Sequence, residues 1–284
     1  VNLNRIGSPI RTYVKQYPVG AFFGCMILLI ILIAIFAPVI APHDHLKGDY
    51  TYINKPPNHE YYLGTDQNGR DQLSRIIFGT RATLIVSLIA VGAGTTVGMF
   101  FGVISAYARG KVDLISQRLV EVLQAFPDLI LAILIMAALK GSLWTVITAI
   151  AITRIPFGTR VIRSAALQIR EMEYVTAAQA IGANAKRVMF RHILPQVLAP
   201  YIVLATAHLG VAIIIEASLG FLGAGVPPPT PTWGNMLGLA SLTGLRPSWW
   251  LVLFPGVAIT FTVMCFNLAG DSVRDALDPR LRGV

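Results

Sequence analysis

Charge is what this sequence has least of. Asp, Glu, Lys and Arg together supply 13% of its 284 residues, about half the share of an ordinary soluble domain. So few charges cannot clothe a water-exposed surface over a core of this length, which excludes a soluble globular protein. Only two cysteines occur, Cys25 and Cys265, each inside an apolar run. They offer neither a disulfide framework nor a zinc knuckle. No G-x-x-x-x-G-K-[ST] loop is present; "RGKVD" at 109–113 lacks both the upstream glycine and the hydroxyl that a phosphate cradle needs. No Ser/His/Asp group or carboxylate pair stands out. The expectation is a chain that is not itself an enzyme and holds no cofactor.

What is present is apolar length. Hydrophobic residues make up 55% of the chain and the mean hydropathy is +0.65. Crossing a bilayer takes about 20 apolar residues, and successive runs suffice at 19–41, 84–108, 118–139, 143–165, 197–219 and 249–269. The first is longer than a signal-peptide core of about 7–15 residues and is expected to stay uncleaved. The third is interrupted by Glu121 and Asp128 and can kink at Pro127. The sixth opens on Trp249 and Trp250, which favour the interface. The fold class is therefore an all-α integral membrane protein with six transmembrane helices. The chain divides into an N-terminal tail (1–18), a first helix (19–41), an outer loop (42–80), a core (81–270) containing a polar loop at 170–195, and a C-terminal tail (271–284).

Lys and Arg set the orientation. They concentrate before the first run (Arg5, Arg11, Lys15), after the second (Arg109, Lys111, Arg118), after the fourth (Arg160, Arg163, Arg170, Lys186, Arg187, Arg191) and after the sixth (Arg274, Arg280, Arg282). The other side has the smaller set Lys47, Lys55, Arg70, Arg75, Arg81, Lys140 and Arg246. The positive-inside rule places both termini in the cytoplasm. It also accounts for the net charge of +9 without nucleic acid as a partner.

The polar loop "REMEYVTAAQAIGANAKRVMFRHILPQ" (170–196) is thus cytoplasmic. Val175, Ala178 and Ile181 give its first half one apolar side. Gly182 permits a sharp turn, Asn184 can cap a second helix, and Pro195 ends or bends it. The residues describe two short helices about a glycine elbow. Such an object fits either a lipid surface or a socket on a soluble partner. In the second span, Gly94, Gly98 and Gly102 share one face and invite close helix approach, either within the chain or with another subunit. Arg154, His208 and Glu216 lie inside apolar runs, where ionisable groups are functional candidates; they could line an aqueous path, and Arg154 could equally pair within the bundle. His43, His45 and His59 sit in the outer loop at irregular spacing, so no metal site is expected of them.

"TAAQAIGA" followed by "HILP" resembles the EAA loop of type I ABC importer permeases. Thr176, Ala177, Ala178, Gly182, Leu194 and Pro195 occupy its places, with Thr176 where many relatives have glutamate and His192 where isoleucine is usual. "LGTDQNGRDQLSRIIFGTR" (63–81), "EASLGFLGAGVPPPTPTWGNML" (216–237) and "NLAGDSVRDALDPRLRG" (267–283) resemble signatures of the dipeptide, oligopeptide and nickel branch, most of all its second permease. The resemblance covers nearly the whole chain. It implies the type I importer permease fold in a bacterial inner membrane, and a subunit that imports peptides by alternating access. Nickel, glutathione or a sugar remain alternative cargoes, and a channel or secondary transporter is the reading outside the family. The implied partners are a homologous second permease, two cytoplasmic ATPases that bring ATP and Mg, and an extracytoplasmic binding protein. The loop at 170–195 would be the coupling loop, with Ala177, Ala178, Gly182 and Ala183 giving fit and turn, Thr176 among them, and Glu173, Lys186 and Arg187 at the rim. Residues 43–80 would meet the binding protein, where Asp66, Arg70 and Asp71 either contact it or fix a local turn.

Overall fold

The computed structural model describes residues 14–241 and 248–277. Arg5, Arg11, Arg246, Arg280 and Arg282 of the charge pattern, with the ends of both tails, lie outside the described residues. Among the described residues the longer helices, in chain order, are α1 (Pro18–Ile35), α2 (Gln72–Ala108), α3 (Gly110–Gln124), α4 (Asp128–Ala138), α5 (Leu143–Arg170), α6 (Glu173–Ala180), α7 (Ala185–Phe221), α8 (Trp233–Ser241) and α9 (Trp249–Leu277). Of these, α1, α2, α5, α7 and α9 are long and apolar enough to cross a membrane, and α3 with α4, bent by 90° at their break, makes a sixth if the pair is one span.

That break falls at the kink expected at Pro127 and goes further than a kink: two separate helices stand in place of one over 118–139. Pro127 has no amide proton to carry a helical ladder through, and the chain turns between Gln124 and Asp128. The 11 residues of α4 reach only about 17 Å, half a bilayer's hydrocarbon thickness. The second span also begins earlier than its apolar run. Asp71 caps α2, accepting from the Ser74 amide at 2.9 Å, so the polar stretch from Gln72 onward is the outer end of the same helix. At 37 residues, about 56 Å, α2 must stand well clear of the bilayer.

The centre of the bundle is the pair α2 and α5. A Cβ added at Gly94 would lie 2.3 Å from the Ala151 carbonyl, at Gly98 2.6 Å from that of Ile155, and at Gly102 2.8 Å from that of Thr159. The glycine stripe therefore packs inside this chain. Gly98→Ala should cost roughly 2 kcal/mol, since backbone on both sides prevents relief of the overpacking. Gly92→Ala on the same helix meets nothing within 4 Å and should be neutral. Thermal unfolding in detergent compares them; equal midpoints would contradict this packing.

α1 lies at the edge. Ile30 and Ala34 join Leu84, Ile213, Cys265 and Phe266 in one buried cluster, while Phe22, Leu28, Leu29 and Ile35 remain exposed, as a lipid-facing helix requires. α8 was not foreseen. It tucks against the end of α7 glycine to backbone: a Cβ on Gly234 would lie 2.4 Å from the Ala217 carbonyl, and one on Gly238 2.6 Å from that of Phe221. Asn235 ties the entry, accepting from the Thr232 amide at 3.0 Å and donating to the Thr230 carbonyl at 2.8 Å. This close hairpin is why Gly220, Gly225, Gly234 and Gly238 have no room for a side chain.

Candidate functional site

The cytoplasmic loop is a helical hairpin whose second arm is continuous with a membrane span. α6 is short, but the segment after Asn184 is the base of α7 and not a separate short helix. The ladder passes Pro195 because residues Val188–Ile193 form a π-turn, and the Leu194 amide reaches back to Met189. The wider turn takes up a residue that would otherwise break the helix. Asn184 caps this arm, accepting from the Arg187 amide at 2.8 Å. Gly182 has φ +88° and open space where a Cβ would go, so its requirement is conformational. A push on the hairpin therefore reaches α7 directly, and reaches α5 through residues 171–172.

The hairpin's two faces differ from the expected arrangement. Val175 turns inward and packs with Ile169, Val188, Ile193 and Val197, and Ala178 is buried as well. Ile181, expected beside them, instead projects from the tip with 88% of its surface exposed. Glu173, Thr176, Ala177, Gly182, Lys186 and Arg187 are exposed around it, and Ala183 is half-buried. The outward surface carries Ile181 as its most exposed apolar side chain, small residues beside it, and a basic rim.

Inside the bundle Arg154 does not face an open path. It is 1% exposed, ion-paired with Asp128, 2.9 Å from His208 Nδ1, and stacked over Phe157 at 5.2 Å. An arginine only donates, so Nδ1 accepts and the imidazole proton sits on Nε2. The residue that reaches space is Asp128. With Glu121, Gln124, Phe157 and Arg160 it lines an open cleft of about 460 Å³. Asp128 was noticed in the sequence only as an interruption of an apolar run; a carboxylate just after a proline at membrane depth demands a cation nearby, and that was the available signal. Glu216 is fully buried. Its Oε2 accepts from Thr83 at 3.1 Å, and Thr232 faces the same carboxylate, so it ties α2, α7 and the approach to α8 together.

In the outer loop, Asp66, Arg70 and Asp71 are buried and shape the turn. Asp66 accepts from the Arg70 amide at 2.9 Å and from its Nε at 2.8 Å, and Arg75 approaches at 3.4 Å. Gly69, at φ +69°, leaves no room for a side chain against Asp49. Trp250 donates to the Thr65 carbonyl at 3.3 Å, anchoring the loop on α9. His43 lies 3.5 Å from Asp71, and His45 stacks on Phe78 with centroids 3.7 Å apart. Burial pushes the His45 imidazole below its usual 6.5, with Asp44 opposing and Arg75 assisting. A depressed histidine stabilises above the unfolded value and loses that contribution as pH falls through the folded one. Between pH 7.5 and 5.5 the protein should therefore lose thermal stability, and His45→Phe should flatten that slope. Parallel slopes in both proteins would contradict it.

The described residues thus combine membrane-crossing helices with a basic hairpin continuous with one of them. Residues 94–283 match the family described as the binding-protein-dependent transport system inner membrane component. The chain belongs to that family and is an ABC importer permease subunit, a multi-pass protein of the inner membrane. Residues 14–57 match the N-terminal transmembrane domain of oligopeptide transport permease C. The chain is 43% identical to a dipeptide transport system permease protein of Haemophilus influenzae, covering 95% of this chain and 93% of that protein. It is 40% identical to the dipeptide transport system permease protein of Alkalihalophilus pseudofirmus, over 97% of this chain and 91% of that one. It is 38% identical to an oligopeptide transport system permease protein of Bacillus subtilis, over 90% and 84%. The fold is similar to the inward-facing MetNI methionine ABC transporter, with TM-score 0.60 and 20% identity over 72% of this chain and 96% of that chain.

Proposed function

We propose that this permease carries di- or oligopeptides inward as one of two homologous permeases, powered by two cytoplasmic ATPases and fed by an extracytoplasmic binding protein. The cargo follows from the likeness to peptide permeases over nearly the whole chain. The observation that carries the mechanism is the hairpin: an exposed apolar tip, Ile181, on a hairpin whose second arm is continuous with α7. ATP binding closes the ATPases, the hairpin follows its docking groove, and α5 and α7 turn the pathway outward. Hydrolysis resets it. ATP and Mg stay with the partners.

The deciding experiment is uptake of labelled dipeptide into proteoliposomes holding the complex co-purified through this chain, with its binding protein added. Uptake that needs both ATP and the binding protein is expected, with a second permease and two ATPases in the preparation. Uptake by this chain alone, driven by an ion gradient, would replace the proposal with a secondary transporter. Competition by unlabelled nickel or glutathione in place of dipeptide would reassign the cargo while leaving the machine intact.

A further inference from the structure

α3 is the least supported long element of the bundle. Val120 is its single buried residue, and Val112, Leu114, Ile115, Leu119 and Val122 are all exposed. Its attachment to the rest of this chain therefore depends on polar contacts, and these gather at its two ends.

At the start, the chain reverses through Arg109 and Gly110, at φ +53° and +57°. Asp113 then takes a two-pronged grip from Arg163 of α5, with Nε and Nη2 each 2.6 Å from a carboxylate oxygen. Ser105 of α2 donates to the same carboxylate, and Gln117 donates to Ser105 at 3.3 Å. Paired donors in a fixed fork fix orientation as well as distance, which a single lysine contact would not. Beyond the far end, just past the 90° break, Asp128 is held by Arg154, again from α5. One helix thus supplies an arginine to each side of the broken span. That helix runs straight into the cytoplasmic hairpin, and its last residue, Arg170, donates to the Ala106 carbonyl at 3.1 Å.

We propose that Arg163–Asp113 and Arg154–Asp128 are two clamps that make α3 and α4 travel as one body with α5, so that movement of the hairpin is delivered to the cleft beside Asp128. The four are positioning residues, and the inference rests on the coupling reading above. Without the clamps α3 would hang on two bends, Arg109–Gly110 and 125–127, and α5 could move while the cleft stayed still.

The test is spin-label distance measurement on the reconstituted complex in a background without Cys25 and Cys265. One label pair is placed at Leu119 and Val161, spanning α3 and α5. The other is placed at Val161 and Met264, spanning α5 and α9. Between the nucleotide-free and vanadate-trapped states the 119–161 distance should hold constant while the 161–264 distance changes. If both change, the clamps are overturned and the coupling reading stands. If neither changes, the coupling reading falls and takes the clamps with it. As a second arm, Arg163→Gln should broaden the 119–161 distribution and cut peptide moved per ATP hydrolysed at least tenfold. The exchanged pair Arg163→Asp with Asp113→Arg should recover most of that ratio. An unchanged ratio in Arg163→Gln, in a complex that assembles normally, would also overturn the proposal.

Discussion

Ile181→Arg is expected to abolish peptide transport while the purified permease unfolds at the wild-type temperature. The side chain is 88% exposed on the hairpin tip and supports nothing within its own chain, so removing it should leave the bundle untouched. Its apolar surface is the part of the hairpin that a docked ATPase would cover. An anchor at the centre of a desolvated patch is worth about 2 kcal/mol or more on truncation, close to thirtyfold in docking affinity. A buried arginine with no partner adds a desolvation cost on top. Substrate-stimulated ATP hydrolysis should fall together with transport. Val175→Arg, on the inward face of the same hairpin, should instead fail by losing the folded hairpin, since Val175 is fully buried. Transport at the wild-type level in Ile181→Arg would show that the tip does not dock.

The second large effect is predicted inside the membrane bundle. Asp128→Leu should destabilise the protein by roughly 3 kcal/mol, because removing one partner strands a buried charge. Arg154 is 1% exposed; without Asp128 it keeps only His208, Thr153 and the Phe157 ring. Asp128→Leu combined with Arg154→Leu removes both charges and should recover most of the lost stability, since two apolar side chains can replace a buried pair at little cost. Transport should not recover with it, because the double variant restores packing and not the ion pair that fixes α4 to α5. Thermal midpoints in detergent and uptake in liposomes read the two effects separately. A double variant less stable than the single one would contradict the pairing.

Much of this was readable before any coordinates. Charge scarcity and apolar runs specify the membrane class, and the Lys and Arg asymmetry specifies the side. Gly182 and Asn184 mark the hairpin's turn and cap because each residue type has a narrow physical use there. Three features were not readable, for three reasons. In the third span the sequence marks a kink at Pro127, but an apolar count does not register that the chain there turns through a right angle. The second arm of the hairpin looked separate from α7 because Pro195 ordinarily stops a helix, and a π-turn that absorbs it leaves no mark in composition. Arg154 stood open between lining a path and pairing within the bundle, because its neutralising partner is 26 residues away and recognisable only once α4 lies against α5. The face assignment on α6 failed more simply. Helical periodicity groups Val175, Ala178 and Ile181, but the helix ends at Ala180, so the third member leaves the stripe and becomes the knob.

The central claim is that the 170–195 hairpin is the place where an ATPase takes hold of this permease. The most direct measurement puts a photo-activated benzoylphenylalanine at position 181, illuminates native membranes, and identifies the attached chain by mass spectrometry. The account predicts a covalent adduct with a nucleotide-binding subunit whose yield changes when ATP is trapped. Adducts confined to lipid, or to proteins without a nucleotide site, would contradict it and return the hairpin to the membrane surface.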